Sequence, residues 1–325
     1  MKVNIFTEAG EGIGYGHLTR CISLYDELAS RGIPVELIIY GRELKDKIVG
    51  SRKYRMLNWI SLKNLKGIEF SENDICIIDS YMAEKNIYQE LSNTCKKIAS
   101  IDDYNRIDYP SGIVINPSIY TEDHNYSNYD VKYLLGKKYV ILRNAFLSDE
   151  VKINPLKVEE ILIMMGGSDI RRITPRVLSI ISELYPNVRR NIVVGSNGCD
   201  VDLQSFGSDT VLYSNVNAME LKKLMLSADI AITAAGQTVY ELMKIGTPFI
   251  PIQVIDNQMY TVKGLCAYNL VDTVIQWDSE NFDRELTASI QKMWNYDYRL
   301  NLSEYYFNFI DGLGAKRIID ELMGS

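Results

Sequence analysis

The chain is poor in histidine, with two in 325 residues, and its five cysteines include no C-x-x-C pair. The cysteines (Cys21, Cys76, Cys95, Cys199, Cys266) are odd in number, and His17 and His124 stand far apart. That pattern argues against a metal centre and favours reduced, mostly buried thiols. Basic surplus is also missing, since 35 Lys and Arg stand against 42 Asp and Glu for a net charge of −7. Nucleic-acid and membrane-surface proteins usually present a basic stripe, so neither nucleic acid nor a membrane is an expected partner. No apolar run approaches the roughly 18 residues needed to span a bilayer. Low-complexity tracts and short repeats are absent. Met1–Phe6 enters a strand directly, with no basic-plus-apolar leader, which leads us to expect a cytoplasmic protein. Composition leaves the oligomeric state open.

What is present is an alternation of short apolar strands with helical patterns. Val3–Thr7, Val35–Tyr40, Ile75–Ile78, Lys97–Ile101 and Gly112–Ile115 read as buried strands, with helices over Leu18–Ser30 and Glu84–Asn93. The pattern breaks at Leu147–Lys157, which reads as a linker, and restarts with Glu160–Met165, Arg190–Val194, Ile230–Thr233 and Phe249–Ile252. Alternation of this kind predicts an α/β chain of two Rossmann-like, doubly wound domains, 1–150 and 157–302, facing across a cleft at the carboxyl ends of their strands. The tail, 303–325, is helical in pattern except at Gly312 and Gly314 and is expected to pack back on the first domain.

Gly12-Ile13-Gly14-Tyr15-Gly16-His17 follows the first strand. Glycines there let a ligand approach the backbone, and the helix that follows offers free N–H groups to an anion. His17, on that helix's first turn, can move protons near neutral pH. A purely structural turn is the plainer alternative. A dinucleotide site is disfavoured, because Tyr40 and Gly41 stand where the acidic ribose ligand belongs.

Gly166-Gly167-Ser168 after the first strand of the second half suits phosphate contact through backbone N–H and hydroxyl. Gly236-Gln237-Thr238 opens a helix able to hold a diphosphate, and Glu241, one turn in, suits ribose hydroxyls. Asn257-Gln258 offers adjacent amides to sugar hydroxyls or acetamido groups, or forms a plain polar turn. Asp79-Ser80-Tyr81 follows a strand end and should line the cleft. Asp102-Asp103 has no further ligands to make a metal pair, and His124 reads as a surface histidine.

Together these segments resemble the PseG-like UDP-sugar hydrolases of pseudaminic acid biosynthesis, relatives of the MurG-type glycosyltransferases with their two-domain GT-B fold. The resemblance runs through Ile13–Cys21, Asp79–Tyr81, Ile101–Asp103, Gly136–Arg143, Gly166–Asp169, Ala235–Glu241, Asp256–Gln258 and Asp311–Arg317. It implies that His17 is the base activating water at the anomeric carbon and that Tyr81 lies near the reacting centre. It also implies substrate contacts from Gly14, Gly16, Arg20, Asp79 and Arg143, and nucleotide contacts from the second domain. Neither a metal nor a cofactor is implied. Ser80, where the family usually has histidine, and the acidic opening Thr7–Glu11 depart from the pattern and bear on the sugar's identity. Hydrolysis of a UDP-sugar is thus the leading expectation. A glycosyltransferase with the same donor site is second, with Tyr54–Ile60 as a possible acceptor patch, and a non-catalytic nucleotide-sugar-binding subunit is third.

Overall fold

The computed structural model describes residues 1–10, 12–42, 44, 46–167, 169–195 and 202–324. The chain divides into two units, Met1–Asn144 with Gly312–Ser325, and Ala145–Asp311.

In the first unit the strands are β1 (Val3–Glu8), β2 (Val35–Tyr40), β3 (Tyr54–Met56), β4 (Ile75–Asp79), β5 (Lys97–Ile101), β6 (Gly112–Asn116) and β7 (Val131–Leu135). They form a parallel sheet in the order β3-β2-β1-β4-β5-β6-β7. Runs such as Val-Asn-Ile-Phe in β1 and Ile-Cys-Ile-Ile in β4 are buried along their whole length, as strands covered on both faces require. Helix Gly16–Ser30 follows β1 and buries Leu18, Cys21, Leu24 and Leu28, a stripe at helical spacing. Helix Gly314–Met323 joins the same core through Ala315, Ile318, Ile319 and Leu322.

The second unit holds β8 (Glu160–Met164), β9 (Arg189–Val194), β10 (Thr210–Ser214), β11 (Ile230–Ala234), β12 (Phe249–Gln253) and β13 (Ile275–Gln276). These too are parallel, in the order β10-β9-β8-β11-β12-β13. The segment read as a linker, 147–157, lies within this unit. There the buried Lys152 ammonium pairs with Asp229 at 3.0 Å, and Asp229 accepts from the Glu159 and Glu160 amides. Residues 303–309, expected with the returning tail, complete helix Tyr296–Phe309, where Tyr306 donates to the Leu270 carbonyl at 2.7 Å.

In the stretch weighed as an acceptor patch, Tyr54–Met56 is edge strand β3, and Trp59 is fully buried on Phe6 with its indole donating to the Thr7 carbonyl at 2.9 Å. An aromatic at a sheet margin is drawn inward because burial removes its large apolar surface from water. Among the thiols, Cys21, Cys76 and Cys95 are buried and Cys266 is exposed, while Cys199 lies outside the described residues.

Candidate active site

In both sheets the chain first builds outward on one side and then crosses to the other, so the strand order reverses between β1 and β4 and between β8 and β11. Open α/β sheets bind ligands at the carboxyl ends of strands at such a point. β1 ends there at Glu8 and β4 at Asp79, with Thr7 in register with Asp79. β5 ends at Ile101, opposite Asp79, and Asp102 and Asp103 follow. Helix Gly16–Ser30 brings His17 and Arg20, three residues apart on one face, to the same end.

The loop entering that helix closes on itself, the Gly14 amide donating to the Gly10 carbonyl at 2.9 Å. Gly14 holds a φ of 88°, where a side chain would be strained. Gly16 is exposed, and a Cβ there would meet nothing within 4 Å. Among the described residues no side chain caps this helix, and no acid lies in its first turn, so its leading amides can face an anion.

His17 Nδ1 lies 2.6 Å from Asp79 Oδ1. Asp79 is fully buried and also accepts from Arg20 Nε at 2.5 Å and Nη2 at 2.6 Å. Burial by itself would raise this carboxyl's pKa, but Arg20 and His17 hold it well below the ordinary range. An ionised carboxylate only accepts, so the proton of the shared hydrogen bond belongs to Nδ1. Whenever the imidazole is neutral its lone pair is therefore on Nε2, which faces Glu8 Oε1 at 3.8 Å.

Arg20 also spans to Asp103, with Nη1 to Oδ1 at 2.7 Å and Nη2 to Oδ2 at 2.9 Å. Burial opposes its charge, yet Asp103 and Asp79 together raise its pKa further. Burial likewise disfavours the charged Asp103, and Arg20 overrides it to keep that carboxyl low. The Tyr81 hydroxyl donates to Asp103 Oδ2 at 2.5 Å, and its ring meets His17 edge-on, centroids 4.3 Å apart. Burial and then Asp103 push that hydroxyl far above its usual range, so it remains a donor. Glu8 accepts from the Ser80 hydroxyl and from the Tyr81 amide at 2.9 Å.

Of the residues named from sequence, His17, Arg20, Asp79 and Tyr81 thus form one network. Glu8, Ser80 and Asp103 belong to it and were not picked out as site residues. Their one sequence signal is position, at or just past the end of a buried strand. Asp102 and Asp103 turn into different networks, Asp102 accepting from the Arg106 amide and the Tyr126 hydroxyl at 3.1 Å each. His124 packs on Tyr126, ring centroids 5.5 Å apart. Arg143 is half-buried after the buried run Val140–Leu142. Among the described residues no group of three or more His, Cys, Asp or Glu is arranged to hold a metal.

In the second unit the turns after β8 and β11 leave neighbouring strands, Thr233 being in register with Met164. Gly166 and Gly167 are exposed, and Ser168 lies outside the described residues. Gly236, Gln237 and Thr238 are half-buried at the head of helix Thr238–Ile245, and Glu241 in its first turn is buried. Gln258 is buried and accepts from the Val254 amide at 2.8 Å, and its Nε2 would lie 3.6 Å from a Cβ on Gly236. Asn257 beside it is exposed. Arg171, whose pairing with Arg172 reads in the sequence as a solvated face, donates to the Val254 carbonyl at 2.9 Å and stacks 4.2 Å over Trp277, adding a cation at this end.

No protein-family model matches the chain. It is 30% identical over 278 residues to an uncharacterized protein of Methanocaldococcus jannaschii, covering 77% of this chain and 55% of that one. It is 26% identical to the pseudaminic acid cytidylyltransferase and UDP-2,4-diacetamido-2,4,6-trideoxy-beta-L-altropyranose hydrolase of Helicobacter pylori, over 81% of this chain and 46% of that one. The chain thus spans about half the length of both. The Campylobacter jejuni protein named as the same hydrolase is 25% identical, over 82% of this chain and 96% of that one. Acinetobacter baumannii MurG superposes with a TM-score of 0.65 at 13% identity, over the full length of both chains.

Two parallel-sheet α/β units with this likeness define a GT-B fold. By sequence the chain is similar, at 25–26% identity, to the two proteins named as that UDP-sugar hydrolase. Among the described residues no helix is long and apolar enough to cross a membrane.

Proposed function

We propose that this protein hydrolyses a UDP-activated amino- or deoxy-sugar at the anomeric carbon, releasing UDP and free sugar, in nonulosonic (pseudaminic) acid or related surface-glycan synthesis. The observation that carries the reading is the His17–Asp79 hydrogen bond at 2.6 Å. In this reading it orients the imidazole so that Nε2 serves as the base at the sheet's switch point. The names of the Helicobacter and Campylobacter relatives support the same chemistry.

His17 Nε2 removes a proton from water as the water oxygen bonds to the anomeric carbon. The bond from that carbon to the diphosphate oxygen breaks, and its electron pair leaves with UDP. A positioned general base contributes about 10²–10⁴-fold. UDP departs as a stable anion, so the remaining demand is charge stabilisation and orientation. We assign the first to the turns at Gly166–Ser168 and Gly236–Thr238, with Glu241 on the ribose and Asn257 and Gln258 on the sugar or its acetamido groups. Gly14 and Gly16 let the sugar approach the backbone, Arg143 is a further substrate contact, and Tyr81 stands at the reacting centre. Arg20 and Asp79, buried and turned upon each other, position His17 and Tyr81 rather than touch substrate.

The chemistry needs no metal in this reading, because Asp79 and Asp103 are already engaged by Arg20, His17 and Tyr81. Activity abolished by EDTA in a metal-free assay would overturn that. A glycosyltransferase is the second reading, favoured by the fold. Its acceptor patch would be Tyr54–Ile60, where β3 forms a sheet edge and Trp59 alone is buried. Incubation with a panel of UDP-sugars, followed by NMR, decides between them. Hydrolysis predicts UDP and free sugar without any acceptor. His17→Ala should lose that release and still bind UDP, and release that survives in His17→Ala removes the base from the mechanism.

A further inference from the structure

His17 faces a second carboxylate whose presence the Asp79 contact does not explain. Glu8 closes β1, is 2% exposed, and is held in one orientation by the Ser80 hydroxyl and the Tyr81 amide. Its Oε1 lies 3.8 Å from His17 Nε2, beyond hydrogen-bond reach. In the neutral ring Nε2 is an acceptor, as is the carboxylate oxygen. Two acceptors so placed are satisfied by one species carrying two donors, and water is the smallest. An oxygen roughly 2.8 Å from each would see them about 85° apart, near the angle between its own O–H bonds.

We propose that Glu8 is the second acceptor for the attacking water and that it selects water over an alcohol as nucleophile. This rests on the hydrolase reading. One water proton passes to His17 Nε2 as the oxygen bonds to the anomeric carbon and the electron pair of the breaking bond leaves with UDP. The other O–H points to Glu8 throughout and remains on the product hydroxyl. An alcohol has a single O–H, so it can satisfy His17 or Glu8 but not both. An alcohol therefore leaves one of these two facing acceptors without a donor, which disfavours transfer to an acceptor.

The test compares Glu8→Gln and Glu8→Asp in the full chain, by UDP release and by NMR of products with methanol present. Glu8→Gln keeps the side chain's shape: with its amide on the Ser80 hydroxyl, its oxygen still faces His17 and the Tyr81 amide but without the negative charge, so it accepts from the water more weakly than the carboxylate does. We expect kcat to fall roughly tenfold to a hundredfold with KM and UDP affinity unchanged. The ratio of methyl glycoside to free sugar should rise. Glu8→Asp keeps the charge but withdraws it by about one C–C bond, ~1.5 Å, and should move both readouts partway. Wild-type kcat and an unchanged product ratio in folded Glu8→Gln would sink the proposal. If His17→Ala also releases UDP normally, the base reading fails with it. If only the Glu8 variants are silent, Glu8 alone is excluded.

Discussion

Replacing Asp79 by asparagine tests the tautomer argument at the atom where it is made. Asp79 offers Oδ1 to His17 Nδ1 and Arg20 Nη2, and Oδ2 to Arg20 Nε and the Cys21 thiol. An asparagine carries one acceptor and one donor. With its oxygen at Oδ1, its amide nitrogen faces the Arg20 Nε–H head on. With its oxygen at Oδ2, the amide donates to Nδ1, moves the ring proton to Nε2 and removes the base. Either arrangement also leaves Arg20, 7% exposed, with Asp103 as its remaining carboxylate. Breaking a buried charge pair from one side costs about 3–5 kcal/mol. If the first unit of about 160 residues melts by itself, that is a drop of roughly 9–15 °C in its melting temperature. The kinetic loss is larger, since a wrong histidine tautomer costs roughly 10⁴ in kcat in a Ser-His-Asp triad. Differential scanning calorimetry and a UDP-release assay measure the two effects. An Asp79→Asn protein with kcat within tenfold of wild type would refute the tautomer argument, whatever its stability.

The same ion pairs set an acid limit on stability. Folding depresses the pKa of Asp79 and Asp103, so their contribution is complete above the unfolded carboxyl value of about 3.9 and is lost as pH falls through the lower folded values. The first unit should lose stability progressively below about pH 4, and Asp79→Asn should flatten that slope in calorimetric scans. Tyr81→Phe keeps the ring on His17 and removes the hydrogen bond to Asp103, so kcat should fall with little change in KM. Because the Tyr81 hydroxyl stays protonated, wild type and Tyr81→Phe should share the alkaline side of their pH–rate profiles to pH 10. Gly16→Ala adds a methyl into open space on a helix that tolerates alanine, so melting should hold or rise by up to about 1 kcal/mol of stability. Its KM should rise, because the backbone there is meant to be approached; an unchanged KM argues against substrate contact at that turn.

Every interior strand was legible from sequence, and none of the four edge strands was. β2, β1, β4, β5 and β6 in one sheet and β9, β8, β11 and β12 in the other are flanked on both sides and read as apolar runs. β3, β7, β10 and β13 are the sheet margins. Tyr-Arg-Met, Val-Lys-Tyr-Leu-Leu, Thr-Val-Leu-Tyr-Ser and Ile-Gln mix buried or half-buried positions with solvent-facing ones, so no continuous pattern announces them. The candidate site divides in a related way. His17 and the second-unit turns are visible as glycine-bearing strand-to-helix junctions. Glu8 and Asp103 are single acids near strand ends, indistinguishable in sequence from solvated charges.

Sequence alone therefore determined the alternation, the two doubly wound units and the glycine turns, because burial against water imposes those patterns locally. Tertiary structure decided which charges meet. Asp79 reaches His17 across 62 residues because β4 pairs with β1 only after the chain has laid β2 and β3 on the other side. Arg20 then ties Asp79 to Asp103 across 59 and 83 residues. No local pattern encodes such partners. Strand order fixes them, and with them the tautomer of His17 on which the proposed hydrolysis turns.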